Sequence, residues 1–474
     1  MISKIEGISG ETLRCGSVRV RDHKLYTGPP AMRLPVTLKR VFETARTNGG
    51  TPVKIDQVSG WVKNVRPLKT ITFVEIQDGT TLQDLTVVLK QGAPSFKPSL
   101  GQSVTVLHPE IVQRKNQQFE TLCMPENLKL IGPTVEYPVQ NKQTSLPTLR
   151  KLPEFKHRTT YLSNLLRFRH KVESQLTKTL DGLDFTMVRP PILTSIDCEG
   201  AGEMFNLKQD HWDEIVNLTV SSQLHLEVLM MGLGRVYCLQ PCFRAEKSDT
   251  NRHLCEFWML EVEASFVDKN ESLMDLVELM VKSVVLSLSE TKDLPKYFPV
   301  GCNIDITSRW AKLLQDWKRI TYTDAVEALL SSGVKFEHDL AWGKDLNSEH
   351  ERWLCDHFGG PVFVTNYPRD CKAFYMKLRP DGTTVECFDL LFPEIGEIVG
   401  GSVREDDYDT LKQEIERRDM ASNQLDWYLN LRKEGTVPHG GFGIGIERLV
   451  SYLYGNPNIR DSIPFHRTAG QIDL

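Results

Sequence analysis

Long hydrophobic runs are missing from this sequence of 474 residues. No stretch of 18 or more apolar residues occurs, so no membrane span is expected. Metal-ligand spacing is missing as well. The ten cysteines include no CxxC pair, Cys238 and Cys242 being the nearest neighbours, and no histidine cluster completes a zinc site. Scattered thiols of this kind point to a reducing compartment with buried cysteines rather than to disulfides or a metal. A strong charge of one sign is also absent, but the net −5 conceals an asymmetry. Residues 1–150 carry 20 Lys+Arg against 12 Asp+Glu, a balance of +8 that leaves −13 for the remainder. A basic front end suits a polyanionic partner. The length allows two or three domains with ample chain for a large core.

What is present centres on residues 236–266, VYCLQPCFRAEKSDTNRHLCEFWMLEVEASF. Apolar residues alternate on both sides of AEKSDTNR, the signature of two strands joined by a polar loop. Side chains two apart share a face of a strand. Arg244 and Glu246 therefore point together, as do Phe257, Glu261 and Glu263, while Trp258, Leu260, Val262 and Ala264 form the opposite face. By alternation alone these charges could be cross-strand pairs of an ordinary solvated hairpin. The order of residue types says more. Phe243-Arg244-x-Glu246, a loop, Arg252-His253, then Glu256-Phe257 and an acid four residues on resembles the second signature motif of the class II aminoacyl-tRNA synthetases.

That resemblance implies a hairpin that holds ATP. Arg244 would meet the α-phosphate, the loop with Arg252 and His253 would meet the outer phosphates, Phe257 would stack on adenine, and Glu246 counts among the ATP-binding residues. The residue types suit the task, since Arg offers a permanent planar fork to phosphate oxygens and Phe a π face to a base.

Along the rest of the chain, residues 1–50 read as an N-terminal arm in which Gly and Pro interrupt any amphipathic helix, with a transit peptide as one reading. From 51 to 135, alternation, β-branched residues and Gly/Asn/Asp turns recur at short spacing, a small-barrel pattern. The order resembles the five-stranded OB-fold of the IIb subgroup, which handles Asn, Asp and Lys. In that subgroup the barrel grips the anticodon, and Arg66, Phe73 and Gln83 match the contacting positions. Phe73 has the chemistry to stack on an unpaired base and Gln83 to read a base edge, although Phe73 reads equally as a core aromatic. Residues 136–160, with PVQNKQTSLPTL, read as a linker, and 161–474 as the catalytic domain.

Within that domain, helical spacing over 160–182 leads to a strand ending in Pro, which resembles the first class II motif. Pro191 matches its Pro and implies a two-fold homodimer. The DCEGAGEMF segment resembles the mobile loop of asparaginyl enzymes, where Glu199 matches the acid that meets the substrate α-ammonium. Gln223 matches a second amino-acid contact. At Leu226 the aspartate-specific relatives carry Lys, a cation for the substrate carboxylate. Here an apolar residue stands there and Glu227 follows. An amide side chain offers a donor that a carboxylate lacks, so an acid at Glu227 would accept from asparagine and repel aspartate.

The segments 319–327, 342–354 and 362–377 resemble asparaginyl enzymes closely, and Tyr367, Lys372 and Phe374 are candidates for the pocket lining. In VECFDLLFPEIGEIVGGSVRE, Asp389 and Glu397 match the acids that bind Mg²⁺ with the nucleotide, and the ion's preference for carboxylate and phosphate oxygens fits. Arg404 matches the Arg that clamps a carbonyl-bearing side chain. HGGFGIGIERL resembles the third motif, with Gly441, Gly443 and Gly445 clearing space for adenine and Arg448 reaching the γ-phosphate from a helix starting near Ile446. Val403, where relatives usually have Gln, and His466, where they usually have Pro, depart from the pattern.

The resemblance covers residue 53 to the C-terminus and implies an α+β fold: an antiparallel sheet flanked by helices, preceded by an OB-fold barrel. It implies ATP-dependent activation of asparagine to the adenylate and transfer to the 3′ end of tRNA(Asn), with ATP and Mg²⁺ as cofactors and Arg244 and Arg448 as the catalytic charges. No side chain stands out as an acyl-transfer base. An aspartyl or dual-specificity enzyme is the nearest alternative, and an inactive RNA-binding paralogue another, against which the intact Arg244, Asp389, Glu397 and Arg448 count. The basic front end and the lack of the long appended domain of cytosolic eukaryotic relatives point to the mitochondrial matrix, with the cytoplasm as the alternative.

Overall fold

The computed structural model describes residues 34–90, 96–139, 144–198, 204–247, 250–291, 305–420, 422–472 and 474. The transit-peptide reading falls largely outside these residues, and so does Glu199. The chain forms two compact units, 1–134 and 135–474.

The first unit contains β1 (Val53–Lys54), β2 (Gln57–Pro67), β3 (Ile71–Gln77), β4 (Leu85–Lys90), β5 (Ser103–Leu107), β6 (Glu110–Gln113), β7 (Phe119–Cys123) and β8 (Leu128–Gly132). Alternation sends Val58, Val62, Val74, Ile76, Leu85 and Val87 into one core. β2 pairs with β3, β3 with β4, β4 in parallel with β7, and β7 with β6. β5 and β6 are halves of one run bent at His108, whose φ is 47°, and β5 returns to β2. Five strands thereby close a ring, the OB-fold barrel. Helix α1 (Leu38–Thr47) buries Leu38, Val41, Phe42 and Ala45 in the same core, with Phe42 stacked on Phe119 at 3.9 Å between centroids. It lies in the stretch read as an interrupted arm, but residues 36–47 contain neither Gly nor Pro and Thr37 caps the first turn.

The second unit is built on a ten-stranded sheet. Its strands are β9 (Thr186–Met187), β12 (Arg235–Phe243), β13 (Glu256–Ser265), β14 (Lys318–Thr321), β15 (Val362–Thr365), β16 (Cys387–Phe392), β17 (Gly396–Val403), β18 (His439–Gly445), β19 (Arg467–Thr468) and β20 (Gln471–Ile472). A separate pair, β10 (Leu193–Thr194) and β11 (Asn217–Leu218), lies beside it in sequence. The main order is β14-β15-β16-β17-β18-β13-β12-β9, antiparallel except at β14/β15 and β12/β9. The helices are α2 (Leu146–Arg150), α3 (Thr160–Asp181), α4 (Gln223–Leu233), α5 (Asn270–Ser289), α6 (Ile306–Leu313), α7 (Tyr322–Ser331), α8 (Ser348–Phe358), α9 (Tyr408–Arg417), α10 (Ser422–Asn430) and α11 (Ile446–Tyr454). In α5, Leu273, Val277, Met280, Val281, Val284 and Leu288 are buried at helical spacing, and α3 is built the same way.

The described part of the stretch read as a linker is docked on this unit. Ser145 caps α2, Leu149 is buried, and Arg150 donates to both oxygens of Asp461 at 2.8 and 2.7 Å. No helix among the described residues is long and apolar enough to cross a membrane. The eight described cysteines are free thiols, six of them buried.

Candidate active site

The hairpin β12–β13 is not a solvated one. Register pairs Cys238 with Glu261 and Val236 with Glu263, and both glutamates are buried, as are Leu260 and Val262 on the opposite face. A buried acid needs partners. Glu261 accepts from the backbone N–H of Ser222 at 3.0 Å and from the Ser221 hydroxyl, and Glu263 accepts two bonds from Arg404, at 3.1 and 2.8 Å. Both carboxylates line a cavity of about 620 Å³ over the sheet. Across its floor Glu261, Gly443, Gly400 and Asp389 are successive register partners, so two glycines open the space between two acids.

The two other motif glycines differ. A Cβ on Gly441 would lie 2.2 Å from Glu263 Oε2 and 2.0 Å from the Val262 carbonyl, so Gly441 makes room for a buried glutamate. On Gly445 it would meet nothing closer than 3.9 Å, and this residue borders the cavity.

One end of the cavity is cationic. Arg244, which follows β12, lies 5.5 Å over the Phe257 ring, and both line the cavity with Glu246, Arg252, His253 and Arg448. Arg448 is the third residue of α11 and donates to the Glu397 carbonyl at 2.9 Å. The start of α11 is fixed by Glu447, which accepts from Arg169 of α3 at 2.5 Å and from the Trp258 N–H at 2.9 Å. His253 accepts or donates at 2.6 Å to the Thr250 hydroxyl and lies 3.7 Å from Glu246. Burial lowers its pKa, and the charges of Arg448, Arg252 and Arg244 lower it further against the opposing pull of Glu246. Three permanent cations and a histidine crowded together have the chemistry to hold a polyanion.

Beside it stands a cluster of acids. Asp389 on β16 and Glu397 on β17 line the cavity, and Lys372 Nζ contacts Asp389 Oδ2 at 2.5 Å and lies 4.0 Å from the Tyr367 ring. Burial pushes the Asp389 carboxyl up to about 6 against the charge of Lys372, and the charge of Glu397 adds to the rise. Two carboxylates lining one cavity offer the oxygen donors that a hard divalent cation takes, with Lys372 already paired to one of them. A third acid escaped sequence reasoning. Glu351, on α8, accepts from the Glu397 N–H at 3.3 Å, and its pKa is raised to about 7 by burial and by the charges of Glu397 and Asp389. Gly396, at φ 79°, leaves space for it, because a Cβ there would lie 2.2 Å from Glu351 Oε2. Nothing local in SEHERWL marks this acid, since its partner is 46 residues away.

At the other end lies a side-chain pocket formed by Gln223, Leu226, Glu263, Tyr375 and Arg404. Glu227 does not line it. It is fully buried behind the wall and accepts from Gln223 Nε2 at 3.1 Å, from Arg432 at 2.9 Å and, with its two oxygens, from the Tyr428 hydroxyl at 2.9 and 2.8 Å, with His439 Nε2 at 3.0 Å. These partners hold Glu227 well below the usual carboxylate range in spite of its burial. The acid that borders the pocket is Glu263, with Glu227 bracing Gln223 from behind. The sequence suggests a direct bond to a substrate amide, but Glu227 is fully buried outside the cavity lining, which Glu263 borders.

Lys372 lines the cavity, whereas Tyr367 and Phe374 are buried outside its lining and Tyr375 takes the position at the wall. Val403 alternates with Ser402 and shares the face of Val399, away from the cavity, so its departure leaves the pocket unchanged. His466 is buried away from the cavity, 3.4 Å from Gln471 Oε1. Pro191 is exposed, beside exposed Met187 and Leu193. In the barrel, Arg66 and Phe73 are register partners with the guanidinium 4.8 Å over the ring. Phe73 is half-buried and outside the core cluster. Gln83 accepts from Arg46 at 2.6 Å.

Comparison with known proteins bears on these arrangements. Residues 149–469 match the family of tRNA synthetases class II (D, K and N). The chain is similar to the mitochondrial asparagine–tRNA ligase of Saccharomyces cerevisiae, 44% identical over 92% of this chain and 96% of that one. It is also similar to the asparagine–tRNA ligase of a Nostoc species, 39% identical over 91% of this chain and 98% of the relative. Among solved structures it resembles asparaginyl-tRNA synthetase from Pyrococcus horikoshii complexed with asparaginyl-adenylate, with a TM-score of 0.83, 32% identity and coverage of 93% of this chain and 100% of that one.

Proposed function

The chain belongs to the class II tRNA synthetases (D, K and N) and acts as an asparagine–tRNA ligase; we propose that both halves of its reaction run in the cavity over the sheet. In the first, the asparagine α-carboxylate attacks the α-phosphorus of ATP, forming the acyl-phosphate bond while the bond to the β-phosphate oxygen breaks and pyrophosphate leaves. In the second, the terminal hydroxyl of tRNA attacks the acyl carbon and AMP departs with the bonding electron pair.

The observation that carries this reading is the cavity's polarity, cationic at Arg244, Arg252 and Arg448, acidic at Asp389 and Glu397, and closed by the Arg404–Glu263 pair. Arg244 and Arg448 stabilise charge on the transferring phosphoryl group from fixed positions. Phe257, under Arg244, takes the adenine ring, with Gly445 leaving the space beside it open. Asp389 and Glu397 would hold Mg²⁺, which supplies charge neutralisation of the phosphates when bound. Arg404 donates to the substrate side-chain oxygen and Glu263 accepts from its nitrogen, while Gln223, braced by Glu227, fixes the amino acid. Glu261 and Glu199 are the acids for its ammonium group. The apolar Leu226 supports asparagine over aspartate, since no cation there would pair with a carboxylate.

Barrel residues Arg66, Phe73 and Gln83 are assigned to the anticodon of tRNA(Asn), supported by a stacked aromatic left out of the core. A homodimer through the Pro191 segment is supported by the exposed Met187 and Leu193 beside it, and sedimentation analysis tests it. Mitochondrial relatives in yeasts support the matrix as its address, which imaging of a tagged chain tests.

Exchange of pyrophosphate into ATP is the direct assay. Asparagine should drive it, and exchange driven by aspartate alone would remove the assigned specificity. Arg244→Ala should lose adenylate formation with the oligomeric state intact; preserved exchange would contradict its role.

A further inference from the structure

Behind the cationic end of the main cavity lies a smaller one of about 220 Å³. The two share Arg252, Arg448 and Ile459, so the same guanidinium groups form the partition between them. A third arginine, Arg309 of α6, lines the small cavity and is itself buried. Arg309 donates to both oxygens of Glu394 at 2.6 Å and to the Tyr452 carbonyl at 2.8 Å, and lies 4.6 Å over the Tyr452 ring. Glu394 is unusual in two ways. It has φ 66°, a left-handed conformation that costs a residue with a Cβ some stability. It also holds an arginine by each end, because its carbonyl accepts from Arg252 while its carboxylate holds Arg309. Three arginines and one carboxylate, that of Glu394, line the chamber, with Glu351 acting on Arg252 and Arg448 from the main cavity. The lining thus has an excess of positive charge, and the Glu394 side chain, 65% exposed, is the counter-ion at its edge.

We infer that this chamber receives the pyrophosphate product, with the Glu394 carboxylate as the counter-ion that the leaving anion displaces from Arg309. The inference rests on the reading that the outer phosphates of ATP lie at Arg252 and Arg448. The chamber is too small for a nucleotide, and the three arginines in its lining suit a compact polyanion. Its partition is formed by the groups that would already hold the β- and γ-phosphates, so the anion passes from one face of Arg252 and Arg448 to the other without leaving positive surroundings. The carboxylate competes for Arg309, which keeps product binding weak and release fast.

Asparagine-dependent ATP–pyrophosphate exchange reads this directly, because pyrophosphate is a substrate of the reverse step. Glu394→Gln removes the competing charge at an exposed side chain and keeps a hydrogen-bond acceptor for Arg309. It should lower the KM for pyrophosphate several-fold and strengthen product inhibition by pyrophosphate, with a much smaller change in the KM for ATP. Arg309→Met should raise the pyrophosphate KM several-fold, again out of proportion to that for ATP. If Glu394→Gln leaves the pyrophosphate constants within about twofold of the parent, or moves those of ATP and pyrophosphate together, the inference is wrong. Failure of the underlying reading looks different, since the parent protein would then show no asparagine-dependent exchange at all.

Discussion

At the scale of single residues, selectivity rests on what borders the side-chain pocket and what stands one layer behind it. Leu226 borders it, and Glu227, its neighbour on α4, does not. The buried carboxylate is enclosed by Arg432, Tyr428, His439 and Gln223. Removing an acid so enclosed would leave buried cations unpaired, at a cost of about 3 kcal/mol or more, so its substitution tests folding before it tests specificity. Leu226 is the better probe. Leu226→Lys would bring an ammonium group to the wall where a substrate carboxylate would pair with it, beside Glu263 and Glu227. The ratio of aspartate- to asparagine-driven exchange should rise by about tenfold, the ~1.4 kcal/mol of one partly desolvated ion pair. A folded variant, judged by its melting temperature, whose ratio equals the parent's would show that this wall does not read the side chain.

At the scale of elements, the phosphate end depends on how α8, β17 and α11 meet. The Glu397 peptide is held at both ends. Its N–H donates to Glu351 of α8 and its carbonyl accepts from Arg448 of α11, while Gly396 lets the turn pass under the Glu351 carboxylate. Glu351 thus positions together the acid proposed to hold the metal and the arginine proposed to meet the phosphates. Glu351→Ala should raise the Mg²⁺ concentration needed for half-maximal exchange several-fold. Glu351→Gln, whose amide oxygen still accepts the N–H, should recover most of that loss. An Mg²⁺ requirement that stays put in the alanine variant would confine Glu351 to the fold.

The same junction shows where sequence reading reaches its limit. The β12–β13 hairpin, the glycine strand β18 and the helix start at Ile446 were legible because strand alternation, a glycine run and the motif residues all lie within one continuous stretch. Glu351 was not, because its role depends on a strand 46 residues further on. Nor was the retreat of Glu227 behind the wall, since Tyr428, Arg432 and His439 arrive from α10, the turn after it, and β18. The residues read as a linker look polar and loop-like, and contacts across more than 300 positions, Arg150 with Asp461 and His157 with the Pro464 carbonyl, reveal that they dock.

At the scale of the molecule, the proposed function assigns tRNA to one compact unit and adenylate chemistry to the other. The barrel unit lies in the basic front of the chain, and the cavity lies wholly in the second unit. This division predicts that a barrel substitution touches tRNA and leaves adenylate chemistry alone. Phe73 is the residue for the test, because it is half-buried, sits under the Arg66 guanidinium and stays out of the barrel core. An aromatic with one open face beside a cation can stack a base at the strength typical of such contacts, about 1–3 kcal/mol. Phe73→Ala should therefore raise the KM for tRNA by about tenfold or more, with asparagine-dependent pyrophosphate exchange in the absence of tRNA unchanged. Phe73→Leu keeps apolar bulk on β3 but cannot stack, so it should behave like the alanine variant toward tRNA while melting like the parent. Exchange falling in step with tRNA charging, or a leucine variant that charges tRNA as the parent does, would mean that Phe73 supports the barrel and that the anticodon is read elsewhere on it.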